Sequence, residues 1–232
     1  MRALLTILTF ALLGFVAPAT AGDEPVVVEL FTSQGCSSCP PADELIRELA
    51  ARDDVIPLAL HVDYWDYLGW RDSFASAAFS RRQRAYANAA GKRTIYTPQV
   101  VVQGESHAIG NQTDTVKSLI ASYSGTESPV DLNAWRGGDV LFVRVRATGA
   151  GVGPVVIQIV RFLPERAITI RGGENAGRRI VYANIVTEWM PVAMWNGSGE
   201  TETQIEIKGQ EPVAVLIQSE DFGPILAARI LQ

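Results

Sequence analysis

The arrangement of apolar residues changes character near the middle of the chain. Before residue 124, short apolar runs alternate with segments whose apolar residues recur at helical spacing; after residue 129 the runs are almost all strand-like. The stretch between them, Ser-Gly-Thr-Glu-Ser-Pro, has the composition of a linker. The pattern predicts an α/β domain over 22–125 and an all-β domain over 130–232.

The first half is predicted to fold as β-α-β, a helical insertion, and then β-β-α. The strands Val26–Phe31 and Val55–Val62 flank a helix that turns the side chain of Asp43 to the solvent, together with those of its charged neighbours. Strand, helix and strand follow in order, so the two strands should be parallel. The later elements are the insertion 64–93 with a helix over about 73–90, the strands Gln99–Gln103 and Ser106–Ile109, and the helix Thr113–Tyr123.

The second half contains seven short strand candidates separated by Gly, Pro and Asn residues. Closely spaced strands with such turns are typical of an antiparallel sandwich, which is the fold predicted here. The candidates cover residues 139–148, 155–163, 166–171, 178–188, 201–207, 213–219 and 225–231.

The amino terminus has the layout of a secretory signal peptide. Arg2 precedes an uncharged run over residues 3–16, and Ala19-Thr20-Ala21 is a small-residue cleavage pattern, so residues 1–21 should be removed. A membrane anchor is the alternative, but the apolar run is shorter than the roughly 20 residues that span a bilayer. We therefore expect a secreted protein without a stable membrane anchor.

The composition limits the partners. The chain has a net charge of −5 at pH 7 and 47% hydrophobic residues. An acidic chain lacks the overall positive charge that favours binding to nucleic acid, and this hydrophobic fraction is enough for a folded core.

The chemistry is concentrated in Cys36-Ser37-Ser38-Cys39, which holds both cysteines of the chain. In an oxidising compartment such a pair can form a disulfide. The motif opens a helix, whose amino-terminal N–H groups stabilise a thiolate and lower its pKa. The spacing predicts Cys36 as the exposed nucleophile and Cys39 as the buried, resolving partner.

Two other uses of the cysteines stay open. His61 and His107 would complete a four-ligand metal site, or His61 alone would join both thiolates around copper(I). A purely structural disulfide is the second alternative, although closing so short a loop contributes only about 2 kcal/mol in the chain-entropy description.

The order of elements around this motif resembles the thioredoxin-like superfamily. That resemblance implies a cis peptide bond between Thr97 and Pro98, with Pro98 facing the cysteines. It also implies that Glu29, in the strand before the motif, accepts the proton of Cys39, although the loop here is one residue longer than usual. The aromatic segment that follows His61 contributes Tyr64 and Trp65 either to a substrate groove with Thr97 or to packing of the insertion.

Nearly the whole chain also resembles an uncharacterised family, domain of unknown function 1223. The resemblance is carried by Glu29–Asp43, His61–Trp70, Tyr96–Gln99 and Gly173–Gly177. It implies an exported bacterial protein, most simply periplasmic, with a thioredoxin-like domain, and it implies no reaction.

These features together predict a thiol–disulfide oxidoreductase that acts on thiols or disulfides of exported proteins. Cys36, Cys39, Pro98 and Glu29 are the predicted catalytic residues, and neither a cofactor nor a metal is expected. A non-enzymatic binding or assembly module with a structural disulfide is the alternative, followed by a copper(I) chaperone.

Overall fold

The computed structural model describes residues 24–231, which form eleven β-strands and three α-helices. The predicted signal peptide, residues 1–21, lies outside this range. The helices are α1 (Pro40–Leu49), α2 (Ala77–Ala89) and α3 (Thr113–Tyr123). The strands are β1 (Val26–Thr32), β2 (Val55–His61), β3 (Gln99–Val102), β4 (Ser106–Ile109), β5 (Val130–Gly137), β6 (Val140–Ala147), β7 (Val155–Thr169), β8 (Arg179–Trp195), β9 (Glu200–Glu206), β10 (Val213–Ser219) and β11 (Ile225–Leu231).

Eight of these strands form one mixed sheet in the order β11-β10-β7-β8-β2-β1-β3-β4. β1 and β2 are parallel, as the β-α-β order predicts, and every residue of both strands is buried. β8 joins β2 in a parallel pair at Ala59 and Ile185. The sheet therefore runs without a break from the first half of the chain into the second.

The helices and a second, three-stranded sheet cover the two faces of the large sheet. α1 and α3 pack on one face through a core with β1, β3 and β4, and α2 packs on the opposite face. The small sheet, in the order β5-β6-β9, covers β7, β10 and β11 on the face opposite to α2. Alternate side chains of β1, β2, β3, β7 and β10 thus enter cores on opposite faces of the large sheet.

The predicted fold class is wrong. No separate thioredoxin-like α/β domain followed by a sandwich forms, because strands from both halves make one sheet and most of the secondary structure is β. Periodicity reports which face of a strand is buried, but not which distant strand will pair with it. The pairing of β2 with β8 could therefore not be predicted from the periodicity of apolar residues.

Most individual elements are nevertheless confirmed. The three helices lie where the apolar spacing predicts them, and β1–β4 match within two residues. In the second half, two predicted strands merge into the long strand β7, and β5 was missed. The domain boundaries at 125 and 130 stay a prediction.

Candidate functional site around Cys36 and Cys39

The two cysteines form a disulfide at the start of α1. Their Cα atoms are 5.4 Å apart, and the N–H of Cys39 donates to the carbonyl of Cys36 at 3.2 Å. Pro40 and Pro41 fill the first turn of α1, where an N–H group would have no helical partner. The loop after β1 therefore delivers the disulfide to a helix amino terminus.

Both sulfurs are almost closed to solvent. Cys36 is 3% exposed and Cys39 is fully buried, whereas Ser37 and Ser38 between them are exposed. The predicted exposure of Cys36 is therefore wrong for the oxidised pair. Cys36 is still the outer residue of the two, and its Sγ lies 3.5 Å from the hydroxyl of the exposed Ser38.

Trp65 connects the disulfide loop to the Thr97–Pro98 segment. Its indole N–H donates to the Thr97 hydroxyl at 2.7 Å, and a methyl group added to Gly35 would lie 3.4 Å from the Trp65 Cβ. The Thr97–Pro98 bond is cis, which confirms that prediction. The structure thus brings two of the predicted substrate-binding residues next to the motif.

Pro98 and Tyr64 complete this side of the site. A methyl group added to Gly110 would come within 3.0 Å of the Pro98 Cβ and 3.1 Å of the Ala42 Cβ, so Pro98 lies beside the first turns of α1. The hydroxyl of Tyr64 donates to Gln83 at 3.1 Å, and burial raises the pKa of Tyr64 to about 12. Tyr64 stays a protonated hydrogen-bond donor at neutral pH.

Glu29 is not brought to the cysteines. It is fully buried on the face of β1 that packs against α2, whereas α1 lies on the opposite face. Its carboxylate accepts two bonds of 2.7 Å from Arg82 and one of 2.6 Å from the Tyr86 hydroxyl. Glu29 is thus closed to solvent, and its proton-accepting role stays a prediction.

Asp43 is a buried acid that the sequence interpretation missed. It lies four residues after Cys39, so the two side chains share one face of α1. Oδ1 accepts a bond of 2.7 Å from the Thr32 hydroxyl, and Oδ2 has no partner among the described residues. Burial raises the pKa of Asp43 to about 7, although His61 and Thr32 oppose that rise.

The prediction that Asp43 faces solvent is wrong. The residue falls between the apolar positions Ala42 and Leu45, on the side of α1 that packs against the sheet. A charged residue next to the apolar stripe of a helix is usually part of its polar face, so the spacing predicts an exposed side chain. Its position within one turn of a Cys-x-x-Cys motif was the signal that would have marked it.

His61 and Asp72 form a buried pair beneath the disulfide loop. His61 Nδ1 lies 2.7 Å from Asp72 Oδ2, which also accepts the N–H of Gln34 at 2.8 Å. Burial would raise the pKa of Asp72, but the bonds and charge it meets at His61 and nearby N–H groups lower it overall. This pair ties the loop that carries Cys36 to the end of β2.

Three buried polar atoms in this region have no partner among residues 24–231. They are Asp43 Oδ2, His61 Nε2 and the hydroxyl of Tyr182, whose ring centroid lies 5.0 Å from that of His61. Burial and the charges of Asp43 and Asp72 raise the pKa of Tyr182. His61, Tyr182 and Asp43 therefore place these three buried polar atoms in one part of the core.

Asn175 holds the disulfide loop from the second half of the chain. Its Nδ2 donates to the carbonyls of Gln34 at 3.0 Å and Cys36 at 2.8 Å, and the side chain is buried. The segment around it is the hairpin connection between β7 and β8. Gly172 lies so close to the backbone of Gly69 that a methyl group added to Gly172 would be 2.6 Å from the Gly69 carbonyl oxygen.

Replacing Asn175 by Ala is expected to destabilise the protein by about 2 kcal/mol, because the carbonyl of Gln34 would lose its buried side-chain donor and the carbonyl of Cys36 would keep only the N–H of Cys39. Chemical denaturation measures this loss. Asn88→Ala, an exposed position near the end of α2, is the matched control and should change stability by less than about 0.5 kcal/mol. Equal stabilities of the two variants would contradict the role of Asn175.

A metal centre finds no support at this site. Within the described part of the chain, no group of three or more His, Cys, Asp or Glu residues is placed to hold a metal ion.

Among residues 24–231, no helix combines the length and hydrophobicity needed to cross a bilayer.

Comparisons with known proteins show a family and two solved structures to which this chain is similar. A family described as "Protein of unknown function (DUF1223)" matches residues 27–218. The chain is similar to protein AGR_C_4864 of Agrobacterium tumefaciens, known from a crystal structure, with 33% identity, a TM-score of 0.76, and 89% of this chain and 93% of that one covered. Its fold is also similar to HBP35 of Porphyromonas gingivalis, with a TM-score of 0.59 at 15% identity over 91% and 76% of the two chains. No curated protein matches.

Proposed function

The chain belongs to the DUF1223 family, whose description assigns no function, and from the geometry of its site we propose a thiol–disulfide oxidoreductase acting on exported proteins. The observation that carries this proposal is the disulfide at the start of α1, one helical turn before the buried acid Asp43. The predicted signal peptide supports an exported, periplasmic protein.

In the reduced protein, the start of α1 stabilises the thiolate of Cys36. This thiolate attacks one sulfur of a substrate disulfide and forms a mixed disulfide on Cys36; the other sulfur leaves as a thiolate and takes a proton from water. Cys39 then gives its proton to Asp43 and attacks Cys36, so the substrate leaves reduced and the Cys36–Cys39 disulfide forms. Two electrons pass from the dithiol to the substrate, and substrate oxidation runs through the same steps in reverse.

Asp43 is suited to this proton transfer because its pKa, raised by burial to about 7, is close to a neutral working pH. Its free Oδ2 can receive a proton without breaking the bond from Thr32. The role that the sequence suggested for Glu29 is better supported for Asp43, since Glu29 is occupied by Arg82 on the other side of β1.

We place the substrate-binding surface along the 64–70 segment, Thr97 and Pro98. The polar atoms of Tyr64 and Trp65 are used within the protein, so these two residues shape the surface. Tyr67, on the same segment, is 77% exposed and offers a ring to an incoming polypeptide. Access to Cys36 then requires displacement of the exposed Ser37–Ser38 turn.

Replacing Cys36 by Ser is expected to reduce disulfide exchange to the uncatalysed rate, because the attacking sulfur is lost. The assay is reduction of insulin or a disulfide-linked peptide by the protein without residues 1–21. Ser118→Ala, exposed on α3, is the control and should keep the full rate. In Cys39→Ser, the mixed disulfide should accumulate and allow the bound substrate to be identified. Equal rates for the parent protein and Cys36→Ser would reject the proposal.

The burial of both sulfurs and the bonds from Asn175 favour a second candidate, a binding or assembly module with a structural disulfide. In that case the disulfide persists in a glutathione buffer poised at the potential of the periplasm, and alkylation detects no thiol. Labelling of Cys36 under those conditions would instead support the oxidoreductase.

A further inference from the structure

We propose that the cavity between α2 and the large sheet binds an organic acid with an apolar, ring-containing body and one anionic group. The cavity has a volume of about 460 Å³. This lies within the range of small-molecule sites, roughly 300–1,000 Å³. None of the residues that form the disulfide site lines it, so the inference does not depend on the proposed redox activity.

The walls of the cavity are largely apolar. They include Ala78, Ala85, Val156, Trp189, Pro191 and Phe222. At the base, the guanidinium carbon of Arg82 lies 3.6 Å from the centre of the Trp189 ring. The Trp189 N–H is already bonded to Gln158, and Gln158 in turn donates to Gln218. Because the walls offer mainly carbon surface, the body of the ligand must be apolar.

The charges around the cavity favour an anion. Arg82 lines the cavity while its partner Glu29 does not, so the positive member of this buried ion pair is the one nearer to a bound molecule. Arg81 adds a second positive charge from the exposed side of α2, a helix with three arginines and no acidic residue. Within the described residues Arg81 forms no ion pair. Asp221 is the one acid in the lining and opposes this preference.

The backbone beside the cavity is held in an unusual conformation. Asp221 and Phe222 are consecutive non-glycine residues with φ of 56° and 59°, a left-handed conformation that a bulky residue rarely adopts. Such residues persist only where their surroundings hold them, and they cluster at binding and active sites. Here the Phe222 ring packs edge-on against Tyr86, with their centroids 5.4 Å apart, which fixes one wall of the cavity.

Calorimetric titration with three matched naphthalene compounds tests the proposal. 2-Naphthoate should bind, 2-naphthalenemethanol should bind about fivefold more weakly because it lacks the charge, and 2-naphthylmethylamine should bind least. Tighter binding of the amine than of the acid would overturn the assignment of an anionic ligand, and no binding of any of the three would overturn the site.

Two pairs of variants locate the binding. Ala78→Trp fills the cavity from an exposed position and should abolish naphthoate binding, whereas Ala89→Trp, exposed on the same helix outside the cavity, should preserve it. Arg81→Glu should weaken binding at least fivefold, while Arg84→Glu, equally exposed but outside the lining, should leave it unchanged. Unaltered binding by Ala78→Trp, or equal effects of the two arginine variants, would overturn the proposal.

Discussion

Replacing Arg82 by Met is expected to destabilise the protein by about 3–5 kcal/mol, the usual loss when one partner of a buried ion pair is removed. Glu29 is fully buried and receives two of its three short bonds from this guanidinium, the third coming from the Tyr86 hydroxyl. Arg82 also donates to the Tyr86 hydroxyl at 2.9 Å and to Gln218 at 3.2 Å. The variant therefore leaves a buried carboxylate without its positive partner, and urea denaturation should measure the loss.

The matched control is Arg84→Met, which removes an exposed arginine from the same helix and should cost less than about 0.5 kcal/mol. The double variant Glu29→Gln/Arg82→Met removes both charges, so it should be more stable than Arg82→Met alone. A loss in Arg82→Met no larger than that in Arg84→Met would show that the pair does not stabilise the fold.

The free energy of unfolding should fall as the pH rises from about 4 to about 7, and Asp43 should be a main cause. In the folded protein its pKa is about 7, against 3.8 for an ordinary aspartate. Between these values the folded state holds a proton that the unfolded state has released, so raising the pH favours unfolding. This difference between the folded and unfolded pKa values corresponds to a loss of roughly 4 kcal/mol in the free energy of unfolding, at about 1.4 kcal/mol per pKa unit.

The contribution of Asp43 is isolated by comparing the parent protein with Asp43→Asn. His107, whose pKa is lowered by burial and by Lys92, gives an opposite slope just below pH 6.5, but it is present in both proteins. Asp72, with its lowered pKa, contributes stability that is lost only below about pH 4. The difference in unfolding free energy between the two proteins should change by several kcal/mol across pH 4–7. Parallel pH profiles would contradict the raised pKa of Asp43.

Local features of the fold were accessible from the sequence. The apolar spacing of Leu45, Ile46 and Leu49 sets the buried face of α1, and the alternating runs mark most strands. The motif and the resemblance together were enough to locate the disulfide and the cis bond before Pro98. These properties depend on residues close together in the chain, or on a recognised arrangement of such segments.

Contacts between distant segments were not accessible. Asn175 reaches Cys36 across 139 residues, and nothing in a glycine-rich turn states what its one amide will bind. The face on which Glu29 lies was not accessible either, because the period of a strand gives alternate faces without saying which helix covers each face. The burial of Asp43 shows the converse case, since a charged residue beside an apolar stripe is usually solvated.

The pairing of β8 with β2 has a consequence for a chain that is still being synthesised. β2 is complete about 120 residues before β8 begins, as the bounds of the two strands show. Until then, one side of an apolar strand presents free N–H and C=O groups, which can recruit another growing or unfolded chain. A truncated protein that ends before Arg179 contains β1–β7 and all three helices but lacks the strand that pairs with β2. It should therefore aggregate or require a holding chaperone.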